Sequence, residues 1–127
     1  MINTNMTNFI MSKTNNNLPI GTLFRQKREE KGLLVRQVAA VIEVDQAIIS
    51  RIENNDRLPT KEQLLKLAGL YGLNQKEILS VWLAEKIMKE YGDEPYAPKA
   101  FEQAYHQSLS NKSRIKSKDD DSVTGKQ

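Results

Sequence analysis

The 127-residue chain has no cysteine and a single histidine, His106. Counting alone therefore excludes disulfides, thiolate-bound zinc, cysteine nucleophiles and metal sites built from several histidines. Aromatic residues make up only 6%. The six glycines, at 21, 32, 69, 72, 92 and 125, form no Gly-x-Gly cluster and no phosphate-binding loop. No run approaches the roughly 18 apolar residues of a membrane-spanning helix. The N-terminal stretch also lacks the apolar centre of a secretion signal, so a cytoplasmic address is expected. The length favours one compact domain with loose ends over two full cores, which argues against a large cofactor-dependent enzyme.

What is present is an ordinary soluble composition, 39% hydrophobic and 28% charged, with a net charge of +3. The distribution of that charge says more than its sum. Residues 1–18 carry one charge, Lys13, and six asparagines (3, 5, 8, 15, 16 and 17), and read as a disordered arm. Residues 19–72 hold nine Lys/Arg against seven Asp/Glu, whereas residues 73–109 hold four against six. Residues 110–127 combine five Lys/Arg with the run Asp119, Asp120, Asp121, and only Ile115 and Val123 are large and apolar. That composition reads as a solvated, disordered polar tail.

Spacings of three and four recur from Ile20 to Leu109, and no stretch alternates apolar with polar, so the fold class is all-α. Ile20, Leu23 and Phe24 mark a first helix that ends at Gly32. Val35, Val38, Ala39 and Ile42 share the face of a second. After the tight link Glu43-Val44-Asp45, a third helix capped by Asp45 buries Ile49 and Ile52. Thr60 and Gln63 have capping-box spacing ahead of the stripe Leu64, Leu67, Ala68 and Tyr71, and Asn74 and Glu77 repeat that spacing. They open a longer helix, from about Gln75 to Tyr91, that ends at Gly92. Ala97, Ala100, Phe101, Ala104 and Tyr105 define a final amphipathic helix, with Pro98 in its first turn.

A helix, a three-residue link and a second helix lie between Leu34 and Asn54. With Ile49 and Ile52 inward, Gln46, Ala47, Ile48, Ser50, Arg51 and Asn54 remain on the other sides. Such groups suit a major groove: glutamine pairs with adenine's acceptor and donor, arginine with guanine's two acceptors, and alanine or isoleucine meets a thymine methyl. A small helical bundle whose exposed face is merely polar has the same periodicity.

The stretch from Ile20 to Leu79 resembles the repressor/Cro-like, or xenobiotic-response-element-like, helix-turn-helix family. The resemblance rests on Arg28-Glu29-Glu30-Lys31-Gly32, Val38-Ala39, Val44, Ile49-Ser50-Arg51-Ile52-Glu53-Asn54, Pro59-Thr60, and Leu64-Leu65-Lys66-Leu67-Ala68 followed by Leu73. It implies a five-helix domain over residues 19–80 that binds double-stranded operator DNA; residues 81–109, outside the resemblance, read as a helical extension. It also implies that Gln46, Ala47, Ser50 and Arg51 read bases, to which the outward face adds Ile48, while Asn54, Asn55 and Arg57 touch the phosphate backbone. Arg28 lies on the core-facing stripe of the first helix and Glu53 at the edge of that of the third, and the resemblance implies that they meet as a partly buried bidentate pair. Three residues depart from the family pattern. Val35 and Leu34 replace the usual polar opener and cap of the second helix, so that start needs another cap and Arg36 substitutes as the phosphate contact. Glu43 replaces a glycine frequent in the link, where a left-handed backbone costs roughly 1 kcal/mol.

The longer helix changes its apolar face partway along. Ile78, Leu79 and Trp82 lie together, whereas Ala84, Ile87, Met88 and Tyr91 form a stripe on another side. The second stripe needs a second partner. A homodimer interface of Ala84, Ile87, Met88, Tyr91, Phe101 and Tyr105 is one solution, and an intramolecular hairpin is the other. No metal, cofactor, membrane contact or enzymatic role is indicated. The resulting expectation is a homodimeric repressor or autoregulator, nucleoid-associated when bound to DNA. Two further readings stand beside it: a regulatory or antitoxin-like component of a restriction-modification or toxin-antitoxin locus, and a protein-interaction adaptor that keeps the fold without binding DNA.

Overall fold

A computed structural model describes residues 18–125, with side chains as far as Lys112. Of the expected disordered arm, residues 1–17 lie outside the described residues. Among the described residues six helices follow in order: α1 (Ile20–Glu30), α2 (Val35–Ile42), α3 (Gln46–Glu53), α4 (Lys61–Tyr71), α5 (Gln75–Tyr91) and α6 (Ala97–Gly125). There is no strand among the described residues. Nor is any helix among them long and apolar enough to cross a membrane.

Each of the first four helices is short, and each ends through the same device. Gly32 N–H donates to the Glu29 carbonyl and Leu33 N–H to the Arg28 carbonyl, the paired bonds that close a helix on a left-handed residue. Glu43 and Val44 repeat this on α2, Asn55 and Asp56 on α3, and Gly72 and Leu73 on α4. The left-handed residues have φ of 67°, 61°, 63° and 65° respectively. Glycine adopts this conformation freely and asparagine tolerates it, whereas Glu43 carries a steric cost from its Cβ. The strained backbone expected in the α2–α3 link is thus realised at Glu43.

The helix starts are capped unequally. Asp45 accepts from Ala47 N–H at 3.0 Å, and Thr60 and Gln63 exchange both bonds of a capping box. Asn74 accepts from Glu77 N–H at 3.0 Å. Leu34 has no side-chain acceptor, so α2 uses only the reciprocal half: Gln37 Oε1 accepts from Leu34 N–H at 2.7 Å.

These turns fold α1–α4 around one core, in which Ile20, Phe24, Val38, Ile42, Ile49, Ile52, Leu64 and Leu67 are almost fully buried. Burial of each side chain of this size contributes about 2 kcal/mol. Ile78 of α5 completes the cluster, with Leu79 and Trp82 half-buried against it. Trp82 Nε1–H donates to the Pro59 carbonyl at 2.8 Å, which ties α5 to the loop before α4.

The chain divides into two compact units, one ending at Met88 and the other beginning at Lys89. In the second unit α6 departs from its expected end. The apolar spacing predicts a stop near Leu109, whereas α6 runs to Gly125; residues 126 and 127 of the expected disordered tail lie outside the described residues. No proline or glycine stands between Lys99 and Thr124 to break the helix.

Candidate nucleic-acid interface

Helix α3 is set on the domain by its buried face. Ile49 and Ile52 point into the core and Glu53 is buried beside them. Residues three and four apart share a face, so Gln46, Ala47, Ser50 and Arg51 are turned outward, and all four are exposed. Ile48, expected with them, is only half exposed and packs partly against the core. Its outward surface is therefore smaller than the spacing alone suggests.

Glu53 is the anchor beneath that surface. Arg28 Nε donates to its Oε2 at 2.8 Å and Arg28 Nη2 to its Oε1 at 3.0 Å, the fork-to-fork pairing expected of these residues. Arg28 Nη1 also donates to the Leu33 carbonyl at 2.9 Å. The two side chains are 14% and 3% exposed. The hydrogen bonds to Glu53 hold the Arg28 guanidinium above its ordinary pKa, against the opposing effect of burial. Arg25 Nε lies 3.6 Å from Glu53 Oε1 on the more exposed side. Nearby, burial pushes the Tyr71 phenol up to about 12, with Glu53 adding to the shift. Its hydroxyl is buried without a hydrogen-bond partner among the described residues.

The residues expected at phosphates separate into two groups. Arg36 is exposed and Arg57 half exposed, and neither side chain has a partner among the described residues. Asn54 and Asn55, by contrast, are engaged by α1. Arg25 Nη2 donates to Asn54 Oδ1. Asn55 Oδ1 accepts from Gly21 N–H at 3.1 Å, and its Nδ2 donates to Thr22 Oγ1 at 3.1 Å. Gly21 permits this approach, because a Cβ there would collide with the Ile52 carbonyl oxygen. Sequence reasoning misses the clamp, although a glycine one residue inside a helix start is the kind of signal that marks close backbone contact.

Most of the residues assigned to a dimer interface are exposed. Ala84, Ile87, Met88 and Tyr91 are exposed on α5. On α6 Tyr105 is exposed and Phe101 half-buried. Beside the stripe, Lys86 Nζ lies 4.9 Å from the centre of the Trp82 ring. Both residues line an open recess of about 360 Å³ together with Leu58, Pro59, Thr60 and Lys61. Among the described residues, no cluster of His, Cys, Asp and Glu side chains is arranged to hold a metal ion.

Residues 24–74, spanning most of α1 through the end of α4, match the Helix-turn-helix family, of the Cro/C1 type. No curated protein and no solved structure matches the chain.

Proposed function

Because residues 24–74 form a Cro/C1-type helix-turn-helix domain, a family of DNA-binding regulators, we propose that this chain is a sequence-specific transcriptional repressor or autoregulator that binds operator DNA as a homodimer. The observation that carries the reading is the state of the α3 surface. Gln46, Ser50 and Arg51 are exposed, their side chains have no partner among the described residues, and the helix beneath them is held by the buried Arg28–Glu53 pair. A rigid helix with uncommitted donors and acceptors is what base-edge recognition requires. Arg51 supplies a guanine-reading fork, Gln46 an adenine-reading amide at the helix start, and Ala47 and Ile48 apolar contacts for thymine. Arg36 and Arg57 flank the helix as phosphate contacts. Asn54 and Asn55 flank it as well: α1 occupies both Oδ1 atoms and one Nδ2 hydrogen of Asn55, which leaves side-chain N–H groups on both residues to donate to a phosphate.

Dimerisation through Ala84, Ile87, Met88, Tyr91, Phe101 and Tyr105 doubles the contacts that one short helix makes, and this suits a partly palindromic operator. Selection of bound duplexes from a random pool tests the function directly. One enriched motif whose affinity falls steeply with salt is expected, and no enrichment at low salt would refute the reading. On the selected duplex Arg51→Ala is expected to cost about 1–3 kcal/mol and relax specificity at one position. Arg36→Ala should instead weaken every sequence alike. Uniform loss with Arg51→Ala would remove its base-reading role.

A further inference from the structure

Helix α1 begins without a cap of its own. Pro19 stands at the capping position and supplies no side-chain hydrogen bond, although the first amides of any helix lack intrahelical acceptors. Two residues distant in sequence take them. Glu85 Oε2 accepts from Ile20 N–H at 2.7 Å, and Asn55 Oδ1 accepts from Gly21 N–H at 3.1 Å. Adjacent amides of one helical turn are thus shared between the middle of α5 and the exit of α3.

The geometry points to Glu85 as a positioning residue for DNA binding, which holds the first turn of α1 and, through Gly21, Thr22 and Asn55, fixes the C-terminal end of the recognition helix. Glu85 lies outside the matched residues 24–74, so the inference makes α5 part of the machinery that orients α3. The physical chain is short and complete. A carboxylate placed at the positive end of α1 is favourable for that helix. Asn55 grips the same turn with both atoms of its amide while its backbone is left-handed, at φ 63°. The Ile52 carbonyl packs against Gly21 with no room for a Cβ. Displacement of the α1 first turn therefore moves the last turn of α3, where Arg51 is mounted. Contacts to base edges tolerate only about 0.5 Å of misplacement. The DNA readout of this inference rests on the regulator reading above.

The test compares the full chain with Glu85→Ala and Glu85→Gln on the selected duplex and on a scrambled one, at fixed salt, with solution mass recorded for each. Glu85→Ala is expected to weaken the selected duplex about tenfold, the scale of one lost hydrogen bond to a charged group, and to leave the scrambled duplex unchanged. Glu85→Gln keeps an acceptor for Ile20 and should stay within about twofold of the parent. Unchanged affinity in Glu85→Ala overturns the inference. So does equal loss in both variants, or loss accompanied by a change in mass. Glu85→Asp withdraws the acceptor by one methylene. It is expected to fall between the two and replaces Glu85→Ala if that variant does not fold. A readout without DNA separates the two hypotheses: in the same variant the NMR signal of the Asn55 side-chain amide should move, and a fixed signal overturns the positioning role. A parent protein that binds no duplex, with the Asn55 signal still responding, refutes the regulator reading alone.

Discussion

Between Ile20 and Ile78, apolar residues spaced three and four apart are buried, with Val38, Leu64 and Ala68 at 0% exposure. From Leu83 onward the same kinds of residue recur at the same spacing and most stay open: Leu83 is 52% exposed, Met88 54% and Tyr105 60%, although Ala97 is buried and Phe101 half-buried. The two regions differ in what surrounds each stripe. Four short helices joined by left-handed turns bring each other's apolar faces together, and α5 adds Ile78 to that core. Farther along, two long helices carry apolar stripes whose residues are mostly exposed. Periodicity identifies which side chains share a face, and it is silent on what covers that face.

That contrast can be broken at its strongest point first. Glu53→Ala strands the Arg28 guanidinium in the first region and is expected to cost about 3 kcal/mol. A thermal melt within about 1 °C of the parent would show that the pair contributes little there. Glu43→Gly should act in the opposite sense, stabilising the same region by about 1 kcal/mol through relief of the left-handed strain. A lower denaturation midpoint for that variant would contradict the strain. In the second region Ile87→Glu should change the monomer's stability by no more than about 0.5 kcal/mol while abolishing self-association in light scattering. If the substitution instead destabilises the monomer, the stripe is covered within the chain and the contrast fails. The smallest effect concerns pH. Burial holds the Glu85 carboxyl above its ordinary value of 4.5, more than the Ile20 amide lowers it. A folded-state value above the unfolded one gives a contribution to stability that is full below the unfolded value and lost as pH rises through the folded one. Glu85→Gln should flatten that slope, and parallel stability profiles for parent and variant would argue against it.

Much of the fold is legible in the sequence because its signals are local. The caps at Asp45, Thr60 and Asn74, the terminating glycines 32 and 72, and the stripes of α1–α4 each depend on residues within one or two turns. The Arg28–Glu53 pair is legible for a different reason: two charges at the edges of apolar stripes are costly apart, and the resemblance places them together. The candidate site was less readable. Nothing near Asn55 announces that its amide is committed to Gly21 and Thr22, which lie more than thirty positions earlier in the chain. Gln37 goes unnamed as the cap of α2, because the capping-box pattern asks for a Ser, Thr, Asp or Asn where Leu34 stands. The end of α6 escaped for want of an apolar stripe beyond Leu109, because helical propagation through polar residues leaves no periodic mark.

The opening absences narrowed the chemistry: without cysteine, and with one histidine, the chain forms no disulfide, no thiolate-bound zinc and no metal site of several histidines. Local spacing determined the helices and which residues face outward on α3. Only the tertiary structure decided which of those outward groups are free and which are already spent on α1. Hydrogen bonds between residues 34 and 65 positions apart depend on how whole helices pack, and packing is a property of the assembled core that no short window of sequence contains.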